Sequence, residues 1–403
     1  MAGEWQHTTL GKFVSLQRGH DLTESERKPG AVPVMGSAGQ NGFHDAALAK
    51  GPGIVIGRSG ASFGQVHYCL VDYWPHNTAL YVTNFHGNDP QFAYYFLKNI
   101  NFTRYNSGSA QPSLNRNFIY PIEMNVPQID EQRAIAHILG TLDDKIELNR
   151  RMNETLEAIA RAIFKSWFVD FDPVRAKASG EPPDSICCRL GLTPDLLALF
   201  PDRLVDSELG EIPEGWEVQT VGEVIDRLSI GKKYEQKTVK AAGKVPVLDQ
   251  GKSGIIGYHD DEPGVAASID SPVAVFANHT CYMRLIYFPF SAIQNVLPFV
   301  GKGVDTIWAF HAAFGKQSFI EYKGHWPDFL IHKIVVPGMK LANGFSRVVH
   351  SLLKMAWEKE SESNTLGTLR DTLLPKLLSG ELRVPKTVGW ADEGSPTPAS
   401  PQN

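Results

Sequence analysis

Cysteine is scarce in this chain. The four present, Cys69, Cys187, Cys188 and Cys281, contain no Cys-x-x-Cys pair and match neither a disulfide framework nor a zinc site. A reducing, cytoplasmic setting is the expectation. No stretch approaches the roughly 20 consecutive apolar residues of a membrane span, so no membrane partner is expected. Residues 1–12 lack the basic-then-apolar order of a signal peptide. Thirteen histidines are scattered without metal-ligand spacing. The Asn/Asp-Pro-Pro-aromatic tetrapeptide of amino-methyltransferases is missing, because Pro182-Pro183 has the wrong neighbours. No glycine-rich strand–turn–helix motif for a nucleotide or methyl donor is present. Gly251-Lys252-Ser253 resembles the end of a phosphate-binding loop, but Pro246 stands where that loop needs glycine. These absences argue against catalysis, and against a metal or cofactor, in this chain.

Charge of one sign is also missing where a nucleic-acid binder would show it. The net charge is −5, and its distribution is uneven. Residues 1–127 carry +1, residues 128–214 carry −7, residues 215–340 carry +1 and residues 341–403 carry 0. The acidity sits in one internal segment. Near-neutral flanking segments permit a local DNA-binding patch without predicting one.

What the chain does have is a duplication, at a shift of about 211–215 residues. Trp5, Thr9, Leu10, Gly11 and Val14 recur as Trp216, Thr220, Val221, Gly222 and Ile225. Val32-Pro33-Val34 recurs as Val245-Pro246-Val247, and Gly42-Phe43-His44-Asp45 as Gly257-Tyr258-His259-Asp260. Later matches pair Phe118 with Phe329, Ile122 with Ile334 and Pro127 with Pro337. Short apolar runs predict strands at residues 53–57, 79–82, 273–276 and 333–336, and residues 92–98 read as a short helix. Each half is therefore mixed α/β. His44 and His259, at equivalent places, read as buried structural histidines.

Each half is followed by a long helical pattern. After Pro127, Asp130 is the expected cap, and apolar residues fall at 135, 139, 142, 146, 152, 156, 159 and 163, with Asn149 in the seam. A helix over residues 131–168 would be about 57 Å long. The second seam begins Phe345, Val349, Leu352, Leu353, Ala356 and ends Leu366, Leu369, Leu373, Leu377, with Pro375 expected to kink or end it. The predicted fold is two α/β (α+β) recognition domains in tandem repeat, held apart by two long antiparallel coiled-coil helices with pseudo-twofold symmetry. Its parts are a first domain at 1–127, a helix at 128–172, a connector at 173–214, a second domain at 215–340, a second helix at 341–384 and a disordered tail at 385–403.

Three segments carry the chemistry of nucleic-acid contact. The first is the glycine-rich turn with Arg58, Ser59, Gly60 and Ser62, which could offer main-chain N–H groups to a phosphate and an arginine to a guanine edge. The second is dense in base-reading side chains: Arg104, Tyr105, Asn106, Ser107, Gln111, Asn115 and Arg116. The third holds Lys232, Lys233, Lys237, Lys240 and Lys244, five lysines in thirteen residues. An ordinary hairpin loop and a solvated surface remain the alternative readings of the first and third.

Several runs resemble the specificity subunits of type I restriction–modification systems (the HsdS family). These are Gln128-Ile129-Asp130-Glu131-Gln132-Arg133, Asn149-Arg150-Arg151-Met152-Asn153-Glu154, Ser166-Trp167-Phe168-Val169-Asp170-Phe171-Asp172-Pro173, Leu209-Gly210-Glu211-Ile212-Pro213-Glu214-Gly215-Trp216 and Leu369-Arg370-Asp371-Thr372-Leu373-Leu374-Pro375-Lys376-Leu377-Leu378-Ser379-Gly380. The resemblance spans nearly the whole chain. It implies a non-catalytic subunit whose two domains read the halves of a bipartite, asymmetric site in double-stranded DNA. It further implies that the helices set the spacing and dock two methyltransferase (HsdM) subunits, with a restriction subunit (HsdR) completing the nuclease. S-adenosylmethionine, ATP and magnesium would then belong to those partners. Arg150, Asn153, Phe164, Trp167, Phe168, Leu373 and Leu377 are the docking residues expected. Ala277-Asn278-His279 stands where the first domain has Gly57-Arg58, so the two half-sites should differ. A specificity protein of another methylation system, a DNA enzyme with an unrecognised site, and a scaffold without DNA contact are the competing readings.

Overall fold

The computed structural model describes residues 5–108, 112–251 and 254–384. The expected tail at 385–403 lies outside them. The first half runs β1 (Gln6–Thr9), α1 (Leu10–Phe13), β2 (Ser15–Arg18), β3 (Val32–Gly36), β4 (Gly39–His44), β5 (Gly53–Gly57), β6 (Val66–Cys69), β7 (Trp74–Pro75), β8 (Ala79–Asn84), α2 (Pro90–Lys98), α3 (Arg116–Ile119), β9 (Glu123–Val126) and the helix α4 (Ile129–Phe168). Next come α5 (Asp172–Ala178), α6 (Pro183–Leu190), α7 (Pro194–Leu197), β10 (Leu204–Ser207) and β11 (Gly210–Pro213). The order then repeats as β12 (Glu217–Thr220), α8 (Val221–Val224), β13 (Ile225–Arg227), β14 (Val245–Leu248), β15 (Ile255–His259), β16 (Val273–Ala277), β17 (Met283–Ile286), β18 (Ser291–Ala292), β19 (Val296–Gly301), α9 (Thr306–Ala313), α10 (Trp326–Leu330), β20 (Lys333–Val336) and α11 (Met339–Ser379).

The chain folds as two compact units, Met1–Glu147 with Ser363–Asn403, and Leu148–Glu362. Each unit thus holds one α/β domain and a segment of each long helix. Sheet topology is the same in both. The first unit has sheets ordered β2-β8-β5-β6, β4-β3-β7 and β1-β9; the second has β13-β19-β16-β17, β15-β14-β18 and β12-β20. Even the parallel pair recurs, β3 with β7 and β14 with β18. Thr9 pairs with Glu123 and Thr220 with Lys333. This register keeps Pro127 with Pro337 and corrects the other two late matches: Met124, not Ile122, is the counterpart of Ile334. Ile119, not Phe118, is the counterpart of Phe329: Ile119 and Phe329 are both fully buried, whereas Phe118 is 58% exposed.

The all-apolar strands are explained by burial on two faces. Ile54 and Ile56 of β5 enter one core with Phe13 and Phe92, and Val55 enters another with Tyr73 and Tyr81. In β16, Ala274 and Phe276 face the cluster containing Trp308, while Val273 and Val275 face the one containing Phe290. Asp89 and Asp305 cap α2 and α9 by accepting from Phe92 N and Ile307 N.

The long helix α4 begins at Ile129, just before its predicted cap. Gln128 C=O accepts from Glu131 and Gln132 N–H, and Asp130 sits inside the first turn. The buried Gln132 amide donates to Asn88 Oδ1 at 2.8 Å and to Pro127 O at 3.0 Å, and accepts from Asp89 N at 2.9 Å. Glu131 binds Arg383 at 2.7 Å, and Asp143 binds Arg370 at 2.6 Å. In this unit, therefore, the helices run antiparallel. They do so in the other unit as well, where Asn149 Nδ2 donates to Glu362 Oε2 at 3.1 Å and Phe164 meets Phe345 at 5.5 Å.

Two seam assignments are corrected. Ile159 and Leu369 are 43% and 46% exposed, and the inward neighbours are Ala160 and Arg370. A strict heptad drifts relative to an α-helix of 3.6 residues per turn, and the aromatic packing at the end of α4 resets the phase. Pro375 lies inside α11, which continues to Ser379 before Gly380 at φ +76°. The expected connector is structured: Val174, Ile186, Leu197 and Phe200 join the core of the second unit. Trp216 packs at 5.7 Å from both Phe168 and Phe171. No helix among the described residues is long and apolar enough to cross a membrane.

Candidate nucleic-acid interface

In the first domain, β5 delivers the chain to Gly57, whose N–H donates to Gln65 O at 2.7 Å. A Cβ at Gly57 would lie 2.1 Å from Ser62 O, so only glycine permits the turn to fold back here. Gly60 and Gly64 take φ of +83° and +77°. The N–H groups of Arg58, Phe63, Gly64 and Gln65 all donate to carbonyls within the domain. Of the amides expected to face a phosphate, that of Arg58 is thus spent on the turn, on Thr78 O.

Two segments some distance apart in sequence become one surface. Ser59 bridges Ser113, Leu114 N donates to Arg58 O at 2.8 Å, and Ser107 N donates to Ser113 O at 2.9 Å. Arg104 and Ser107 are exposed; Arg58, Ser59 and Ser62 are half-buried. Several side chains expected to read bases are spent on the scaffold. Asn106 Oδ1 accepts from Gly108 N and Ser113 N, Asn115 caps α3, and Arg116 Nη1 donates to Leu16 O at 2.8 Å. Tyr105 packs against the core. Gln111 lies outside the described residues.

In the second domain the lysine run is largely neutralised. Lys232 pairs with Asp261 at 2.7 Å, Lys240 with Asp260 at 2.8 Å and Lys237 with Glu235 at 2.8 Å. Bonding to these carboxylates raises each lysine above its ordinary range. Among the described residues Lys233 has no carboxylate partner. It lines an open cleft of about 620 Å³ with Arg227, Asn278, Gln294, Asn295 and Trp326. The paired lysines are exposed, and each faces a carboxylate of its own domain.

Asn278 and His279 occupy the turn after β16. Asn278 Oδ1 accepts from Trp326 N at 2.9 Å. His279 N donates to Gln250 Oε1 at 2.8 Å, its Nδ1 contacts Lys323 O at 2.8 Å, and its ring stacks on Tyr322 at 4.9 Å. Arg227, Gln294 and Asn295, which line this cleft, were not singled out from the sequence. The signal was there: Asn77-Thr78 precedes β8 as Gln294-Asn295 precedes β19, so the duplication extends one step further.

Both repeat histidines are buried, as expected. His44 Nδ1 accepts from Lys28 N at 3.1 Å, and His259 Nε2 meets Ser291 Oγ at 2.9 Å while its ring stacks on Tyr234. No group of three His, Cys, Asp or Glu able to hold a metal occurs among the described residues.

Most of the expected docking residues lie in or against the cores of their own units. Trp167, Phe168 and Leu377 are buried in the cores of their own units. Phe164 and Leu373 pack against those cores. Asn153 is half-buried and Arg150 pairs with Glu154 one turn on. Aromatic residues at a helix end are as useful for anchoring that helix as for meeting a partner, and the sequence does not separate the two.

Gly57→Ala tests the turn. Overpacking of this kind costs about 1–3 kcal/mol. The expected result is loss of any DNA selectivity contributed by the first domain with that of the second kept, measured by sequencing bound or modified DNA. Intact selectivity in both would show that the turn is not part of a reading surface.

A family model for the type I restriction modification DNA specificity domain matches residues 2–158. The HindI specificity subunit of Haemophilus influenzae is 25% identical over 73% of this chain and 77% of that protein. The MjaIX specificity subunit of Methanocaldococcus jannaschii is 26% identical over 73% of this chain and 69% of its own length. A solved S subunit from M. genitalium shares the fold, with a TM-score of 0.56 and 16% identity over 93% of this chain and 96% of that one. One sheet topology thus occurs twice with unlike loops, residues 2–158 match a type I restriction modification DNA specificity domain, and the chain over most of its length is similar to type I restriction–modification specificity subunits.

Proposed function

We propose that this chain is the DNA-reading, non-catalytic subunit of a type I restriction–modification complex. Each recognition domain reads one half of a bipartite, asymmetric duplex site. The helices hold the two readings at a set spacing and dock two methyltransferase subunits, and a restriction subunit completes the assembly. One observation carries the reading: a single main-chain frame occurs twice, presenting Arg58 in one copy and Asn278 in the other. A repeated frame with different side chains suits two different half-sites. Exposed apolar side chains of α4, Leu148 and Ile159, are the ones a docking partner meets, in place of Trp167 and Phe168.

Sequencing methylated DNA from cells expressing the chain with its methyltransferase partners is expected to give two unlike half-sites separated by a non-specific spacer. The purified chain alone should neither methylate nor cleave. Inserting one helical turn near Asn149 should lengthen the spacer and leave both half-sites unchanged, since half-sites on one face of DNA are about 34 Å apart per turn. A contiguous motif, or catalysis by the chain alone, would reject the proposal; an unchanged spacer would reject the ruler.

A further inference from the structure

The turn after β5 and the turn after β16 are clamped by the same two main-chain bonds. Arg58 N donates to Thr78 O at 2.9 Å, and Leu114 N donates to Arg58 O at 2.8 Å. Asn278 N donates to Asn295 O, and His325 N donates to Asn278 O, both at 2.9 Å. Side chains play no part in this clamp, so the residue there can change without loss of the frame. The residue before Thr78 is Asn77 and the residue before Asn295 is Gln294. Two side-chain positions, 58 with 77 and 278 with 294, therefore sit side by side on equivalent backbones.

In each domain one of the two positions is tied off and the other is open. Asn77 spends its side-chain Nδ2 on Asp21, and its main-chain carbonyl accepts from Arg58 Nε at 3.3 Å. The terminal guanidinium nitrogens of Arg58 have no partner among the described residues. Burial, and the neighbouring Arg18, both weigh against the charge of Arg58, and no carboxylate offsets them. In the second domain it is Asn278 whose oxygen is spent, on Trp326 N. Gln294 is exposed at the cleft, with no side-chain partner among the described residues.

We infer that Arg58 and Gln294 are the specificity-determining side chains of the two domains, Arg58 taking a guanine edge in one half-site and Gln294 an adenine edge in the other. The inference rests on the DNA-reading proposed above. A guanidinium fork donates two parallel hydrogen bonds, matching guanine O6 and N7; a carboxamide donates one and accepts one, matching adenine N7 and N6. Arg227 and Lys233, at the same cleft as Gln294, supply the positive charge that a flanking phosphate needs.

The test uses the full chain assembled with its methyltransferase subunits, and sequencing of methylated sites. Arg58→Lys keeps the charge and removes the fork. It should lower the preference for guanine at one position of one half-site by about tenfold or more, with the other half-site unchanged. Gln294→Leu keeps the bulk and removes the amide, and should relax adenine to a similar extent in the opposite half-site. If a variant methylates nothing, its purified complex is titrated with duplexes altered in one half-site at a time. Discrimination lost in one half and kept in the other supports the assignment. Both variants keeping the wild-type motif, or either variant losing both halves together, overturns it. A wild-type complex giving no bipartite motif would instead remove the proposed function itself.

Discussion

Trp167→Ala is expected to lower the stability of the unit formed by Leu148–Glu362 by about 3–5 kcal/mol, the usual cost of emptying a buried tryptophan site. Trp167 is 1% exposed and lies edge-on to Phe200 at 5.7 Å and to Phe345 at 6.0 Å. It therefore joins α4 to the connector and to α11 within one core. A side chain reserved for a partner would behave differently: its loss would leave the isolated chain's stability nearly unchanged, within about 0.5 kcal/mol. Ile159→Ala, 43% exposed on the same helix, is the control expected to show that small change. Urea unfolding followed by circular dichroism measures both. A Trp167→Ala chain as stable as the parent would return this residue to the docking surface.

Acid should weaken the same unit through His311. Burial, with Arg161 nearby, pushes this imidazole down to about 4 although its Nδ1 bonds Ile307 O at 2.8 Å. The unfolded chain takes up a proton near 6.5, while the folded chain resists until about 4. Stability is thus fully present above pH 6.5 and is lost as pH falls through that window, by about 3 kcal/mol in total. His311→Leu should remove this part of the pH dependence. Unfolding midpoints between pH 7 and 4 test it, and identical slopes for parent and variant would reject the assignment.

The duplication was legible because it is written in packing residues. Trp5 with Gly11 and Trp216 with Gly222 keep their spacing, since a core tolerates little change in volume. The same logic explains the misplaced late matches. Phe118 looks like Phe329 by letter, but one residue of loop drift puts Ile119 in the core and Phe118 in solvent. The site was less legible. Asn106, Asn115 and Arg116 are the right residue types to read bases, yet unsatisfied backbone groups in the loops claim them first. Arg227 and Gln294, in contrast, lie in stretches that look unremarkable as strings.

The sequence by itself determined two α/β repeats, a long helix after each, and the family resemblance, because each is encoded in local periodicity and repeated spacing. Only the tertiary structure decided which polar side chains are consumed by the scaffold, which lysines are already paired, and which aromatic residues of α4 face inward. Those outcomes depend on partners tens to hundreds of residues away, such as Asp143 with Arg370 or Trp167 with Phe345. Hydrogen bonds and burial are set by distance in space, and residue type alone does not carry that distance.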